Sequence, residues 1–334
     1  MKKFFAILLA AALTLTLAGC GGKDRLNYVN GLEKYVTVCD IENITVDTNG
    51  SEYIEIYKNA MNNDLATYTQ NLEEGVVANG DIANINYAGK VDGVAFTGGT
   101  AEKQELTIGS GKFIEGFEEQ LIGVKIGDTV DIEVTFPVGY NDSTDLETGS
   151  KTIKLSGTDA VFTVTINSVK RPFAEVNDDF AVAAGFKTAD EYLADLKDRC
   201  IKNSISDFVT NNSTVKKLPP DSDGNSYSYH KQYYTDYAQY YGYTFENFLT
   251  ANGIDEATFK NDVLSQEVIM YAILDKLGLK VTEEDRTKKV EELAKINEVS
   301  VEEVKKAYTD NYVEYICVNN KVVDALFEKA KIVE

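Results

Sequence analysis

Hydrophobic and polar positions change rhythm several times along this chain, and each rhythm predicts a different kind of element. Residues 4 to 17 are an apolar run that lacks any charge, behind Lys2 and Lys3 and followed by Ala18-Gly19-Cys20. That run is shorter than the roughly 20 apolar residues a spanning helix needs. From Tyr35 to Val46 the segment YVTVCDIENITV alternates and is rich in β-branched residues, which predicts a strand or a pair of strands. Tyr53, Ile56, Tyr57, Ala60, Met61, Leu65, Tyr68 and Leu72 then recur at three- and four-residue spacing, as on one helix face, and Gly75 is the stop. Between Asn79 and Pro172 short alternating runs separated by Gly and Asp predict an antiparallel sheet with tight turns. Only Gly116 to Ile122 reads as a short helix, which the apolar face of such a sheet needs as a cover.

Beyond Pro172 the period becomes that of a helix almost throughout. Helix starts are marked by Thr188 before Glu191, Thr282 before Asp285 and Ser300 before Glu303, where the hydroxyl caps the first turn and the acid reaches back. Breaks are expected at Leu218-Pro219-Pro220-Asp221, at Asn252-Gly253 and at Gly278. The fold class that follows is α+β, an antiparallel sheet wrapped on a short helix and then an all-helical region. No fixed repeat is present, which argues against a solenoid. A two-lobed solute-binding fold needs alternating strands and helices, and a block of strands followed by a block of helices does not supply them.

Composition removes several classes of chemistry. The 334 residues carry 54 Asp and Glu against 33 Lys and Arg, a formal charge of −21, which speaks against nucleic acid or an anionic membrane surface as partner. One histidine, His230, leaves no Ser-His-Asp set, no HExxH zinc site and none of the paired histidines of a parvulin-type isomerase. Cys39, Cys200 and Cys317 have no CxxC spacing, so neither a disulfide framework nor a zinc site is indicated, and no metal or cofactor is expected. Cys200 and Cys317 lie in helical patterns and read as small buried apolar groups.

The first 20 residues have the layout of a bacterial secretory signal, and Leu17-Ala18-Gly19-Cys20 resembles the lipobox, whose thiol takes a diacylglycerol before cleavage. The expectation is a signal peptide over 1–20, a polar tether over 21–34 and a mature chain lipid-anchored at Cys20 on the extracytoplasmic face of the cell membrane. No other membrane contact is expected.

The sheet segment carries a longer series of matches. Gly80-Asp81, Asn86-Tyr87-Ala88-Gly89, Asp92-Gly93-Val94-Ala95-Phe96 and Ile108-Gly109-Ser110-Gly111-Lys112-Phe113-Ile114-Glu115-Gly116-Phe117-Glu118 occur in one order, followed by Gly127-Asp128, Phe136-Pro137, Tyr140 and Ala160-Val161-Phe162. This series resembles the FKBP-type peptidyl-prolyl isomerases. Phe96-Thr97-Gly98-Gly99 and Thr135-Phe136-Pro137 are similar to the trigger-factor branch, and so are Asp179-Phe180, the 186–193 helix start, 300–304 and 325–330. The resemblance implies a connector strand and helix over 35–76, an FKBP domain over 77–172 and a helical chaperone domain of trigger-factor or SurA type over 173–334. It implies a proline-binding cleft lined by Tyr87, Phe96, Phe113, Ile114, Phe117, Tyr140 and Phe162. Phe117 would be its floor, and the Tyr140 hydroxyl and the Ile114 N–H its donors.

Such a site needs no acid or base. Rotation about an X-Pro bond faces a barrier of about 18–20 kcal/mol set by amide resonance, and a dry aromatic cleft that fits the twisted amide lowers it. The implied partners are unfolded or nascent exported polypeptides with X-Pro bonds. The alternative is a non-enzymatic holdase with the same fold. Thr97 stands where many FKBP enzymes have Asp, Gln104 stands where an aromatic often lines the rim, and Asn141 to Lys154 is longer than the trigger-factor loop. The stretch between Cys20 and Gly75 is too short for a ribosome-docking domain, so no ribosome docking is expected. Tyr229, Tyr233, Tyr237 and Tyr241 recur every four residues, either as a stripe packed on a neighbouring helix or as a client-binding face.

Overall fold

The computed structural model describes residues 31–219, 225–240 and 242–334. Cys20, the apolar run before it and Tyr241 lie outside the described residues. A 3-10 turn at Leu32–Lys34 leads into β1 (Val36–Thr37), β2 (Thr45–Asp47), α1 (Ser51–Thr67) and β3 (Thr69–Leu72). The strands β4 (Ile82–Val91), β5 (Val94–Thr107), β6 (Thr129–Thr135), β7 (Ser143–Thr144), β8 (Thr152–Ile153) and β9 (Asp159–Pro172) follow. Next come α2 (Asp178–Ala183), α3 (Ala189–Asn212), β10 (Thr214–Val215), α4 (Asn225–Tyr240), α5 (Phe245–Ala251) and α6 (Glu256–Lys276). The last elements are α7 (Glu283–Ile296), α8 (Val301–Ala307), α9 (Asp310–Phe327) and β11 (Lys331–Val333). Among the described residues no helix is long and apolar enough to cross a membrane, and no cluster of His, Cys, Asp and Glu suits a metal ion.

These elements form two compact units, one over Met61–Ala194 and one joining the residues up to Ala60 with Asp195–Glu334. In the first, β9 is the spine of a five-stranded antiparallel sheet: β4 runs along one of its edges, β6 and β3 share the other, and β5 lies outside β4. Alternate residues of β9 enter the core, Phe162, Val164 and Ile166 among them, beside Ile85, Leu106, Leu121 and Ile132. The start of β4 is tied to the end of β9 by Asp81 and Arg171, whose guanidinium donates Nε to Oδ1 at 2.7 Å and Nη2 to Oδ2 at 2.8 Å. Burial opposes ionisation of Asp81, but the Arg171 bonds and the Ala78 N–H hold its carboxyl below the usual range.

Two expected helices are shorter than their apolar patterns. α1 stops at Thr67 because the next residues turn extended and pair with β9, Thr69 opposite Pro172 and Leu72 opposite Val169, so Tyr68 and Leu72 leave the helix face. The cover over the sheet is a single 3-10 turn, Glu119–Leu121, rather than a helix from Gly116. Gly116 sits at φ +86°, outside the helical region, and the bonds after it close over three residues, Leu121 N–H to Glu118 O at 3.2 Å and Ile122 N–H to Glu119 O at 3.3 Å.

The second unit is helical, with two small strand pairs. β1 pairs antiparallel with β10, and β2 pairs parallel with β11. The expected segments at 35–76, 77–172 and 173–334 therefore do not coincide with the compact units: β1, β2 and most of α1 join the helical unit, while β3 and α2 join the sheet unit. Two of the three predicted capping boxes form, Thr282 with Asp285 and Ser300 with Glu303; at the third, Thr188 accepts from the Glu191 N–H at 3.2 Å, but the Glu191 carboxylate takes the Lys187 N–H at 3.0 Å instead of that of Thr188. Cys200 and Cys317 are buried, and Cys317 lies in an apolar cluster with Val290, Val304 and Val313.

Candidate active site

Phe162 stands at the centre of the sheet unit's aromatic cluster. On β9 it lies opposite Gly89 of β4 and Ile132 of β6. A Cβ on Gly89 would meet the Phe162 ring at 2.4 Å, so only glycine lets the ring lie over that strand. Gly99 does the same for Phe96, whose ring a Cβ there would meet at 2.7 Å. From Phe162 the ring centroids of Phe117, Tyr87, Phe96 and Phe136 lie at 5.4, 6.0, 6.1 and 6.4 Å. Phe113 packs on Phe117 at 4.6 Å and Tyr140 on Phe136 at 4.8 Å. Every aromatic residue implied for the cleft thus falls in one connected set, within the range where aromatic pairs attract.

Burial sorts the set into a floor and a rim. Phe117, Phe96, Phe136 and Phe162 are buried, Tyr87, Phe113 and Ile114 are half-buried, and Tyr140 is exposed. Burial, with Tyr140 nearby, pushes the Tyr87 hydroxyl above the usual phenol range, so it is a donor at neutral pH. Among the described residues nothing accepts from the Ile114 N–H, while the Ile114 carbonyl takes the Phe117 N–H at 3.0 Å. The site therefore offers apolar rings and a few neutral donors. That suits binding a proline ring and a carbonyl, and it does not suit proton transfer.

Two residues of this site carry no role in the sequence reading. Phe136 bridges Tyr140 to Phe96, at 4.8 and 5.8 Å, and so joins the rim to the floor. Glu118 is buried, and its carboxylate takes the Ser110 hydroxyl at 3.0 Å and the N–H groups of Gly111, Lys112 and Phe113 at 3.1, 3.0 and 3.1 Å. It closes the 110–113 loop and so presents Phe113 and Ile114 to the cleft. Burial alone would raise its pKa, but these bonds hold the carboxyl below the usual range. Only the Ser110-Gly111 pair, a turn that leaves several N–H groups to be satisfied, hints at Glu118 in the sequence.

Thr97 points away from the floor. Its hydroxyl lies 3.0 Å from that of Thr144 on β7, and its carbonyl takes the Ser143 hydroxyl at 2.6 Å. Gln104 is exposed on β5 and donates to the Glu105 carbonyl at 2.9 Å.

In the helical unit the tyrosine series does not share one environment. Tyr229 stacks on Tyr312 at 3.7 Å and faces Tyr308 at 5.4 Å. Tyr233 packs edge-on to Tyr234 at 5.3 Å beside Phe245, Leu249 and Phe259. Tyr237 is 43% exposed and touches Phe248 edge-on at 5.7 Å. His230 lies among these rings, 5.9 Å from Tyr229 and 6.1 Å from Tyr312.

Residues 74–167 match the family model described as FKBP-type peptidyl-prolyl cis-trans isomerase, and residues 231–328 match that of the bacterial trigger factor C-terminus. The trigger factor of Caldicellulosiruptor saccharolyticus is 32% identical over 279 residues, covering 77% of this chain and 61% of the relative. Trigger factor 1 of Desulfitobacterium hafniense is 37% identical over 260 residues, covering 71% and 58%. That of Staphylococcus carnosus is 32% identical over 285 residues, covering 78% and 62%. A solved trigger factor chaperone aligns with 88% of this chain and 72% of its own at 16% identity and a TM-score of 0.33, too low a likeness to carry weight. The chain spans about three-fifths of the length of the curated relatives it matches. It combines an FKBP-type peptidyl-prolyl cis-trans isomerase domain with a trigger-factor C-terminal segment.

Proposed function

We propose that this protein is a peptidyl-prolyl cis-trans isomerase and folding chaperone for exported polypeptides, held outside the cytoplasmic membrane by a lipid on Cys20. The observation that carries the enzymatic part is the graded aromatic cup, with Phe117, Phe96 and Phe162 as floor and Tyr87, Phe113, Ile114 and Tyr140 as rim. A dry wall of rings favours the less dipolar twisted amide over the planar one, and each 1.36 kcal/mol of that preference is a factor of ten in rate. The Tyr140 and Tyr87 hydroxyls and the Ile114 N–H can hold the flanking carbonyls. Likeness to trigger factors supports the chaperone part, and Leu17-Ala18-Gly19-Cys20 supports the anchor. Tethering raises the local concentration of the protein where exported chains emerge.

A protein of residues 21–334 should accelerate cis-trans exchange of an X-Pro peptide, and Phe96→Ala with Tyr140→Ala should remove most of that acceleration. No acceleration by the parent protein sinks the enzymatic reading. Cys20→Ala should move the full-length protein from the membrane to the soluble fraction of its cells, and retention at the membrane would end the anchor reading. Exposed aromatics on the helical unit, Tyr237 and Tyr243, favour a second activity as a holdase. Aggregation suppression that survives the cleft substitutions would assign it there.

A further inference from the structure

Among the described residues β6 has one strand neighbour, β9, so alternate backbone groups of β6 face away from the sheet. At Glu133 a side chain takes the place of a second neighbouring strand. Gln120 accepts the Glu133 N–H on Oε1 at 3.3 Å and donates Nε2 to the Glu133 carbonyl at 2.8 Å, the two bonds that facing residues of antiparallel strands exchange. A primary amide can do this because it carries the donor and acceptor of a backbone unit, with one N–H to spare. Nε2 also donates to the Gly116 carbonyl at 2.7 Å. Gln120 therefore ties the backbone of Gly116 to that of Glu133.

Each tied residue sits one position from the aromatic floor. Gly116 precedes Phe117, and Glu133 follows Ile132, which lies opposite Phe162 on β9. The Phe117 and Phe162 rings are 5.4 Å apart. Gly116, at φ +86°, lends the chain ahead of Phe117 no stiffness of its own. Beyond Phe117, the Glu118 carboxylate holds the 110–113 loop and buried Leu121 anchors the turn in the core. We propose that Gln120 is a positioning residue of the isomerase site, setting the spacing of Phe117 and Phe162 through the backbone of the turn and of β6. The inference rests on the proline-binding reading of the cleft. Gln120 is itself exposed, so its replacement leaves the core filled. A loosened floor still accepts a proline ring but fits the twisted amide less well, and the loss falls on kcat rather than KM.

The test uses the full chain in detergent with an X-Pro tetrapeptide for kcat and KM, thermal melts, and hydrogen exchange of the Phe117 amide. Gln120→Ala removes all three bonds, while Gln120→Glu keeps the size and the acceptor but loses both donations at pH 7. With rates taken per folded molecule, each variant should lower kcat about tenfold, keep KM within about twofold and speed hydrogen exchange at Phe117 about tenfold. A kcat within about twofold of the parent in either variant overturns the proposal, as does a loss carried by KM or by the unfolded fraction seen in the melts. A parent chain that does not accelerate prolyl isomerisation removes the isomerase reading alone. Hydrogen exchange then decides: a faster Phe117 amide in both variants upholds Gln120 as the tie between the floor rings, and an unchanged one rejects it.

Discussion

Both units are rich in aromatic side chains, but the sheet unit gathers them around Phe162 with buried rings inside and Tyr140 exposed at the edge, and the helical unit stacks them between helices. In the sheet unit each ring hangs from a strand whose register is set by its partners, and Gly89 and Gly99 are kept bare so that Phe162 and Phe96 can lie flat against the backbone. In the helical unit the rings of Tyr229, Tyr308 and Tyr312 stack on one another between helices. Aromatic content alone therefore says little about a binding site. What separates the two is what places the rings: strand register and bare glycines in the sheet unit, and stacking between helices in the other.

The sharpest test of that contrast is to remove one central ring from each unit. Phe162→Ala should cost about 3–5 kcal/mol in denaturant unfolding and abolish prolyl exchange, since it takes away a wall of the cup as well as core volume. Tyr312→Ala should cost about 2–3 kcal/mol and leave exchange within about twofold. A large loss of exchange in the second variant would break the comparison.

Glu118→Gln comes next. The amide brings a donor to a site where four donors already converge, so a loss of about 2–3 kcal/mol is expected, with exchange lowered as the 110–113 loop loosens. Because the folded carboxyl titrates below its ordinary 4.5, its contribution is present above that pH and is lost as the pH falls through the folded value. Acid unfolding of the parent should therefore be steeper below about pH 4.5 than that of the Gln variant, when both are followed by circular dichroism.

The helical unit offers the opposite sign at Asp207. Burial, with Glu52 adding repulsion, pushes its carboxyl up to about 6 from 3.8. A raised carboxyl favours the fold fully below pH 3.8 and loses that advantage as the pH rises through about 6. Asp207→Asn should stabilise the protein by about 1–2 kcal/mol at pH 7 and flatten its stability between pH 4 and 6, as read by thermal melts. The smallest effect is expected from Tyr237→Ala, within about 0.5 kcal/mol in stability, with weaker suppression of client aggregation if that ring meets clients.

Much of the sheet was legible because its turns need particular residues: Gly and Asp at the corners and alternation between them set the strands in order, and the motif order placed every cleft aromatic in the set where it is found. Capping boxes at Thr282 and Ser300 were legible for a similar reason, a local bond with a fixed spacing. The end of α1 was not, because Tyr68 and Leu72 keep helical spacing and only pairing with the distant β9 pulls them straight. Glu118 was hidden because a carboxylate beside Phe117 reads as solvated until the loop that surrounds it is folded. The β7–β8 hairpin escaped for want of contrast: Ser, Thr, Asp and Gly around 141–154 look like any loop, and its strands exist by docking on β5 rather than by their own preference.

The parallel pairing of β2 with β11 also bears on how the molecule is made. The sheet unit is one continuous stretch, 61–194, and can condense as soon as it has been synthesised. Its neighbour is assembled from residues on both sides of that stretch, so Thr48 waits for Val333, 285 positions later, before its N–H finds that carbonyl. At ordinary synthesis rates the delay is on the order of tens of seconds. Throughout that interval β2 is an orphan strand beside a finished domain, and the chain is itself a client for the kind of help it is proposed to give.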